Sequence, residues 1–152
     1  MIAVEYSRAR LLALQLLCLA GPVPDGPAAT PMTRSDVSVA LCTFNGAHFL
    51  RAQVESIWAQ SLRPAEIVAV DDGSSDGTYE MLLDLAIESP VPMRIERNPI
   101  NLGYAANFER ALSLAQGDIV FLCDQDDVWD PRKIEAMVEP FQDPSVVLVY
   151  SD

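Results

Sequence analysis

Short apolar runs alternate with segments of helical periodicity from residue 36 to the end of the chain. The apolar runs that predict buried strands are 37–43, 67–70, 93–96, 119–123 and 146–150. Between them, apolar residues recur every three or four positions, which predicts helices with one buried face. These predicted helices lie near 50–60, 81–86, 108–115 and 132–139. The alternation predicts an α/β domain with a mostly parallel sheet flanked by helices.

The first 31 residues follow a different pattern. Arg8 and Arg10 precede an apolar run at 11–20, and residues 21–31 are rich in Pro, Gly and Ala. Such a segment is typical of a secretory signal, although it is too short to span a bilayer as a helix. The alternatives are a disordered or weakly helical extension, and a start codon assigned too early with Met32 as the true start. We therefore expect an extension and linker at 1–31 and one domain at 36–152.

Charge and composition narrow the chemistry. The 152 residues carry 10 basic and 22 acidic side chains, for a net charge of -12. Nucleic acid is excluded as a partner, because its binding needs clustered Lys and Arg. Three cysteines and one histidine exclude a His-rich zinc site and a closed disulfide framework. Catalysis or binding must therefore rely on carboxylates and backbone groups.

Polar clusters follow three of the predicted strands. They are Thr43–Gly46, Asp71–Ser74 and Asp124–Asp127. Ligands of parallel sheets bind beyond the carboxyl ends of the strands, where the strand order reverses. Two of these clusters hold five carboxylates, which repel one another at what we expect to be adjacent strand ends. A Mg²⁺ or Mn²⁺ ion held by few carboxylates and a substrate phosphate would relieve this repulsion. Without it, one of the acids should have a raised pKa.

Each acidic cluster also has a simpler interpretation. Residues 71–78 could form only a turn in which Ser75 or Asp76 caps the next helix. Residues 124–127 could be a solvated loop, although such loops rarely follow a central apolar strand. A calcium loop is excluded because Trp129 replaces its required glycine and Pro131 interrupts it.

Taken together, the motifs resemble a known family. They are Thr43-Phe44-Asn45-Gly46, Val70 to Thr78, Asn101-Leu102-Gly103-Tyr104, Gly117-Asp118 and Cys123 to Trp129, in that order. Residues 36–152 resemble the donor-binding half of a family 2 glycosyltransferase with the GT-A fold, close to rhamnosyltransferase-like members. The resemblance implies metal-assisted transfer of a sugar from a pyrimidine nucleoside diphosphate, with dTDP-rhamnose favoured over a UDP-sugar. It further implies a saccharide or lipid-linked acceptor, a cytoplasmic location at the inner face of the plasma membrane, and peripheral membrane contact.

The resemblance also implies roles for individual residues. Thr43, Phe44 and Asn45 would contact the base, and Asp72, with Asp71 beside it, would hold the base and ribose. The stretch from Asn101 to Asn107 would line the diphosphate-sugar side, with Asn101, Gly103 and Asn107 as the named contacts. In the family's Asp-any-Asp motif, Asp126 matches the metal ligand and Asp124 lies nearer the ribose, where it could also bind metal. The second-choice ligand is Asp127.

Two rival interpretations belong to other classes. The family's catalytic base lies after the fifth strand, beyond Asp152, so the chain is expected to lack its C-terminal part and could be a non-catalytic fragment that binds nucleotide sugar. A phosphoryl-transfer α/β domain would place its key aspartate after the first strand, where Thr43 stands. The sequence also lacks a P-loop and a glycine-rich dinucleotide fingerprint.

Overall fold

The computed structural model describes residues 2–5 and 37–151. Within these ranges the chain forms six strands, four α-helices and a short 3₁₀-helix. In chain order the elements are β1 (Ile2–Glu5), β2 (Val37–Thr43), α1 (Ala47–Trp58), β3 (Glu66–Asp71), α2 (Thr78–Glu88), β4 (Met93–Arg97), α3 (Tyr104–Leu114), β5 (Ile119–Asp124), α4 (Lys133–Val138), the 3₁₀-helix (Glu139–Gln142) and β6 (Leu148–Tyr150).

The strands form one mixed sheet in the order β4-β3-β2-β5-β1-β6. Strands β2 to β5 are parallel, whereas β1 is antiparallel to both of its neighbours. The predicted α/β class and mostly parallel sheet are therefore confirmed. The expectation that the two acidic clusters follow adjacent strands is wrong, because β2 lies between β3 and β5. The order reverses beside β2, which brings three strand ends together at one crevice.

Alternate residues of the central strands pack against different helices. Val39 and Leu41 belong to a core shared with α1, α2 and α4, whereas Ala40 and Cys42 pack on the side of α3. This division follows from the two-residue period of a strand. The helix positions are close to those predicted, since apolar spacing identified the buried face of each helix. The sheet is covered on both faces, and its carboxyl-end edge is left accessible.

Strand β1 corrects the expectation for the start of the chain. Residues 2–5 fall within the predicted extension, yet they pair with both β5 and β6. The sequence pattern groups residues 2–5 with the signal-like segment that follows them, and their strand partners are distant in the chain. The remainder of the predicted signal and linker, residues 6–31, lies outside the described residues. None of the helices in the described ranges is long and apolar enough to cross a membrane.

The segment after β5 is fixed by polar contacts to α1 and to Gln60, two residues beyond the end of that helix. The Ser56 hydroxyl accepts a hydrogen bond from Trp129 N at 3.0 Å. The buried Gln60 amide donates to Asp130 O at 2.7 Å and accepts from Ile134 N at 3.0 Å. These bonds anchor the chain immediately downstream of the acidic residues that follow β5.

The central strand β5 should dominate stability. Phe121 is fully buried and its ring lies 5.8 Å from that of Trp129. We expect Phe121→Ala to lower the free energy of unfolding by about 3–5 kcal/mol, because a cavity replaces the ring. The control Phe49→Ala, at a side chain 51% exposed, should change it by no more than about 0.5 kcal/mol. Urea unfolding measures both, and equal effects would contradict this placement of the core.

Candidate functional site

An open cleft of about 310 Å³ lies beyond the carboxyl ends of β2, β3 and β5. Its lining consists of Cys42, Thr43, Phe44, Asp72, Asn101, Gly103, Tyr104, Asn107, Asp124 and Gln125. Most of the residues predicted to bind nucleotide sugar are therefore brought together. Cys42 and Gln125 also line the cleft without having been assigned a binding role, although Gln125 lies within a quoted motif and Cys42 precedes one. Tyr104 lies within the stretch from Asn101 to Asn107 that was expected to border the ligand.

Asp72 organises one wall of the cleft. Its carboxylate is 3% exposed and accepts hydrogen bonds from Asn98 Nδ2 at 2.6 Å, Leu102 N at 2.8 Å and Gly103 N at 2.9 Å. Gly103 precedes α3 with a φ of 86°, a conformation that favours glycine. The carboxylate thus holds the loop before α3 at the cleft.

Asp71 lies behind the cleft and does not line it. Its carboxylate is fully buried and accepts from Thr43 Oγ1 at 3.2 Å and Ser74 N at 3.0 Å. It also forms an ion pair with Arg97 Nε at 3.4 Å. The sequence suggested that Asp71 contacts the nucleotide. In the structure Asp71 is instead a buried residue that joins β2 to the turn after β3.

Residues 43–46, which we call the aromatic turn, form a second wall. The Phe44 side chain lines the cleft and is 44% exposed, whereas Thr43 is buried. Asn45 has a φ of 49° and its backbone N donates to Ser74 Oγ at 2.9 Å. Its side-chain oxygen accepts from Ser75 N at 2.9 Å. Asn45 therefore braces the turn against the loop after β3.

The start of α3 supplies a third wall. Asn107 is buried, and its Nδ2 donates to Val70 O at 3.0 Å while its Oδ1 accepts from Asn98 Nδ2 at 2.9 Å. Tyr104 is 70% exposed and packs edge-on against Phe108, with ring centroids 4.7 Å apart. Asn107 thus joins the helix to β3, and Tyr104 offers an accessible ring to a ligand.

Residues 124–128, which we call the acidic loop, complete the site. Asp124 lines the cleft and accepts from Gln125 N at 2.9 Å. Burial raises the pKa of Asp124, and the charges of Asp126 and Asp127 raise it further. The expectation that one acid would have a raised pKa is confirmed. Asp126 and Asp127 are exposed and lie outside the main cleft, although Asp127 and Asp124 border an adjoining cavity of about 160 Å³.

The carboxylates of the acidic loop fit only part of a metal site. Across residues 2–5 and 37–151, no group of three or more His, Cys, Asp or Glu could hold a metal ion. Magnesium-like cations, however, commonly use one or two carboxylates and complete their shell with substrate phosphates and water. The donor set of Asp124, Asp126 and Asp127 therefore fits a cation that arrives with a phosphate ligand.

Cys42 lines the cleft without being a candidate nucleophile. Burial raises the pKa of its thiol far above the usual range, and the negative charges of Asp124 and Asp72 raise it further. A thiol reacts as its thiolate, so this side chain stays protonated and inert at neutral pH. Cys42 packs with α3 as well as bordering the cleft.

The chain belongs to Glycosyl transferase family 2, whose model matches residues 38–151. It is 35% identical over 114 residues to an uncharacterized glycosyltransferase, alr2836, of Nostoc, a match covering 73% of this chain and 34% of that protein. It is 34% identical over 101 residues to the cholesterol galactosyltransferase of Borreliella burgdorferi, covering 66% of this chain and 28% of the relative. The chain thus spans about a third of the length of these curated relatives.

Solved structures share the fold. The mannosyltransferase PcManGT of Pyrobaculum calidifontis, in complex with GDP-Man and Mn²⁺, superposes with a TM-score of 0.70 and 26% identity, over 93% of this chain and 42% of that protein. TarS of S. aureus, in complex with UDP-GlcNAc, gives a TM-score of 0.63 at 24% identity, over 72% of this chain and 31% of that protein. These similarities confirm the expected GT-A fold. They do not distinguish the rhamnosyltransferase-like subtype from other members of the family.

The wall held by Asp72 gives a stability prediction. Asp72→Asn places an amide NH₂ among three converging N–H donors, so at least one donor loses its acceptor. We expect the free energy of unfolding to fall by about 1–3 kcal/mol. Asp84→Asn, at an exposed position of α2, is the matched control. Urea unfolding of both variants checks this; an unchanged Asp72→Asn would mean that the carboxylate does not hold the loop.

The raised pKa of Asp124 gives a pH prediction. The folded chain binds this proton more tightly than the unfolded chain does, so the ionised carboxylate lowers stability at neutral pH. That loss is recovered as the pH falls through the raised pKa. In chelator at pH 7 we expect Asp124→Asn to melt at a higher temperature than wild type, and the difference should shrink on acidification. Thermal unfolding between pH 7 and about pH 4, near the reference pKa of Asp, tests this; a pH-independent difference contradicts it.

Proposed function

We propose that this chain carries the donor-binding site of a glycosyltransferase that uses a pyrimidine nucleoside diphosphate sugar. The observation that carries the proposal is that the aromatic turn and the acidic loop meet at one cleft, at the point where the strand order reverses. Family membership supports the sugar-transfer chemistry. We propose a saccharide or a lipid-linked sugar as the acceptor of the whole protein. We propose dTDP-rhamnose as the first donor to test, on the resemblance of residues 124–129.

The aromatic turn would receive the base. Phe44 offers an exposed ring face of the kind on which bases stack, and it lines the cleft beside Thr43 and Asn101. A flat ring of this kind suits packing against a pyrimidine, the base that the family resemblance favours. Asp72 follows β3 and Asp124 ends β5, the strands on either side of β2, which leads into the aromatic turn. Asp124 would accept hydrogen bonds from ribose hydroxyls. In this arrangement Asp72 acts mainly by holding the loop that carries Asn101 and Gly103.

The acidic loop would meet the diphosphate. No residue that lines the cleft in the described part of the chain is basic. Nearby Arg97 and Arg110 are engaged with Asp71 and Glu96 at 3.4 Å and 3.0 Å. A diphosphate would therefore face uncompensated negative charge. We propose that Asp126 and Asp124, with Asp127 as the alternative, bind Mg²⁺ or Mn²⁺ together with the diphosphate.

The residues of this chain would prepare the donor for bond cleavage. A bound cation would stabilise the negative charge that the diphosphate gains as it leaves the sugar. Phe44 and Asp124 would fix the nucleoside, and the loop held by Asp72 would border the sugar. The base that takes the acceptor's proton is not among the residues that we assign.

We expect binding of UDP or dTDP to depend on the cation. Calorimetry with Mn²⁺ or Mg²⁺ should give a higher affinity than calorimetry in chelator, because the cation screens the diphosphate from the acidic loop. Asp126→Asn should weaken metal-dependent binding by about ten-fold or more. Loss of a residue that only supports a metal ligand already costs about ten-fold in metal affinity, and loss of a ligand itself should cost at least as much. Asp84→Asn should bind as wild type does.

The outcomes separate the parts of the proposal. Equal affinity with cation and with chelator would overturn the metal role and leave nucleotide binding intact. Preference for GDP over UDP and dTDP would overturn the pyrimidine assignment. A comparison of dTDP-rhamnose with UDP-glucose and GDP-mannose then tests the sugar.

A further inference from the structure

The side chain of Gln125 joins the acidic loop to the aromatic turn. Its Oε1 accepts a hydrogen bond from Phe44 N at 2.9 Å, and its Nε2 donates to Phe44 O at 3.1 Å. One carboxamide thus pairs with both backbone groups of the residue that forms the aromatic wall. Gln125 stands between Asp124 and Asp126, so the contact bridges the two ends of the cleft directly.

Gly46 provides the space for this contact. A Cβ at Gly46 would lie 2.0 Å from Gln125 Oε1 and 2.2 Å from its Cδ, so the carboxamide could not stay in place. The φ of Gly46 is -116° and its ψ is 18°, a conformation outside the left-handed region that favours glycine. Glycine is therefore needed here for the room that it leaves to Gln125.

Gln125 also fixes one end of the acidic loop. The other end is held by hydrogen bonds that join Trp129 to Ser56 on α1, and Asp130 and Ile134 to Gln60 just after that helix. Between these anchors, residues 126–128 are exposed. A ligand that draws Asp126 toward the cleft therefore pulls on the backbone that carries Gln125, whose amide is attached to Phe44.

We propose that Gln125 is a positioning residue that couples the diphosphate-cation end of the cleft to its base end, an inference that rests on the proposed function. Ordering of the acidic loop by a cation and diphosphate is transmitted through the carboxamide to the backbone of Phe44. Coupling between two sites is reciprocal, so a base on Phe44 equally favours the cation. Glutamate cannot replace Gln125, because its carboxylate would face Phe44 O without a proton to donate.

Four variants separate this role from general stability. Gln125→Ala removes the carboxamide, and Gln125→Glu removes only its donor. Gly46→Ala leaves Gln125 in the chain and displaces its side chain. The double variant Gly46→Ala/Gln125→Ala relieves the steric conflict, so it should match Gln125→Ala alone. Gln116→Ala, at an exposed glutamine before β5, is the control.

The first readout is the ratio of UDP affinity in Mn²⁺ to that in chelator, measured by calorimetry. We expect this ratio to fall by about five-fold or more in Gln125→Ala, Gln125→Glu and Gly46→Ala, the lower end of typical coupling between sites. UDP affinity in chelator should change less. A residue with only a structural role would weaken both affinities alike and leave the ratio unchanged, and that result would overturn the proposal.

The second readout needs no nucleotide. Hydrogen exchange of the Phe44 amide, followed by NMR, should be about five-fold faster or more in Gln125→Ala and Gly46→Ala, because one hydrogen bond is lost. Mn²⁺ is paramagnetic, so Mg²⁺ with inorganic pyrophosphate is used as the probe; it should slow this exchange in wild type and have no such effect in the variants. If UDP, dTDP and GDP all fail to bind, the proposed function fails, and the effect of Mg²⁺ with pyrophosphate on Phe44 exchange still decides whether Gln125 transmits. Exchange at Phe44 that does not differ between wild type and Gln125→Ala overturns the contact itself.

Discussion

Two neighbouring carboxylates at the end of β3 hold the site together. Asp71 turns toward β2, where it accepts from Thr43 and the Ser74 backbone, and Asp72 turns toward the loop before α3. Buried polar groups are tolerated only when their hydrogen bonds are satisfied. Each carboxylate meets that requirement with a different loop, so the walls of the cleft are fixed relative to β3 before any ligand arrives.

The distinction between these acids could not be read from the sequence. Two adjacent aspartates after a strand look alike, and only the loops that return to them show which is buried behind the cleft. Strand positions, helix faces and the meeting of three strand ends were predictable, because they follow from periodicity and from the rule for parallel sheets. The place of β1 was not predictable, since its partners are distant in the chain. The Gln125 contact depends on the shape of a turn that periodicity does not describe.

Negative charge is concentrated around the cleft. Cys42, Tyr104 and Asp124 all have raised pKa values, with burial as the first cause and the surrounding carboxylates as a further one. The cleft therefore keeps mutually repelling negative charges close together, as is common at functional sites. A cation with its phosphates would turn that repulsion into attraction.

The pairing of β1 with β5 and β6 has a consequence for how the chain acquires its fold. Ile2 lies opposite Leu122 and Tyr150, so β1 can pair only after strands far along the chain have been synthesised. Closing so long a loop carries a large entropic penalty, and contacts of this kind slow folding. The parallel strands β2 to β5 can associate earlier, with β1 and then β6 added afterwards. Until then the edge of β5 beside the acidic loop is unpaired and open to other chains.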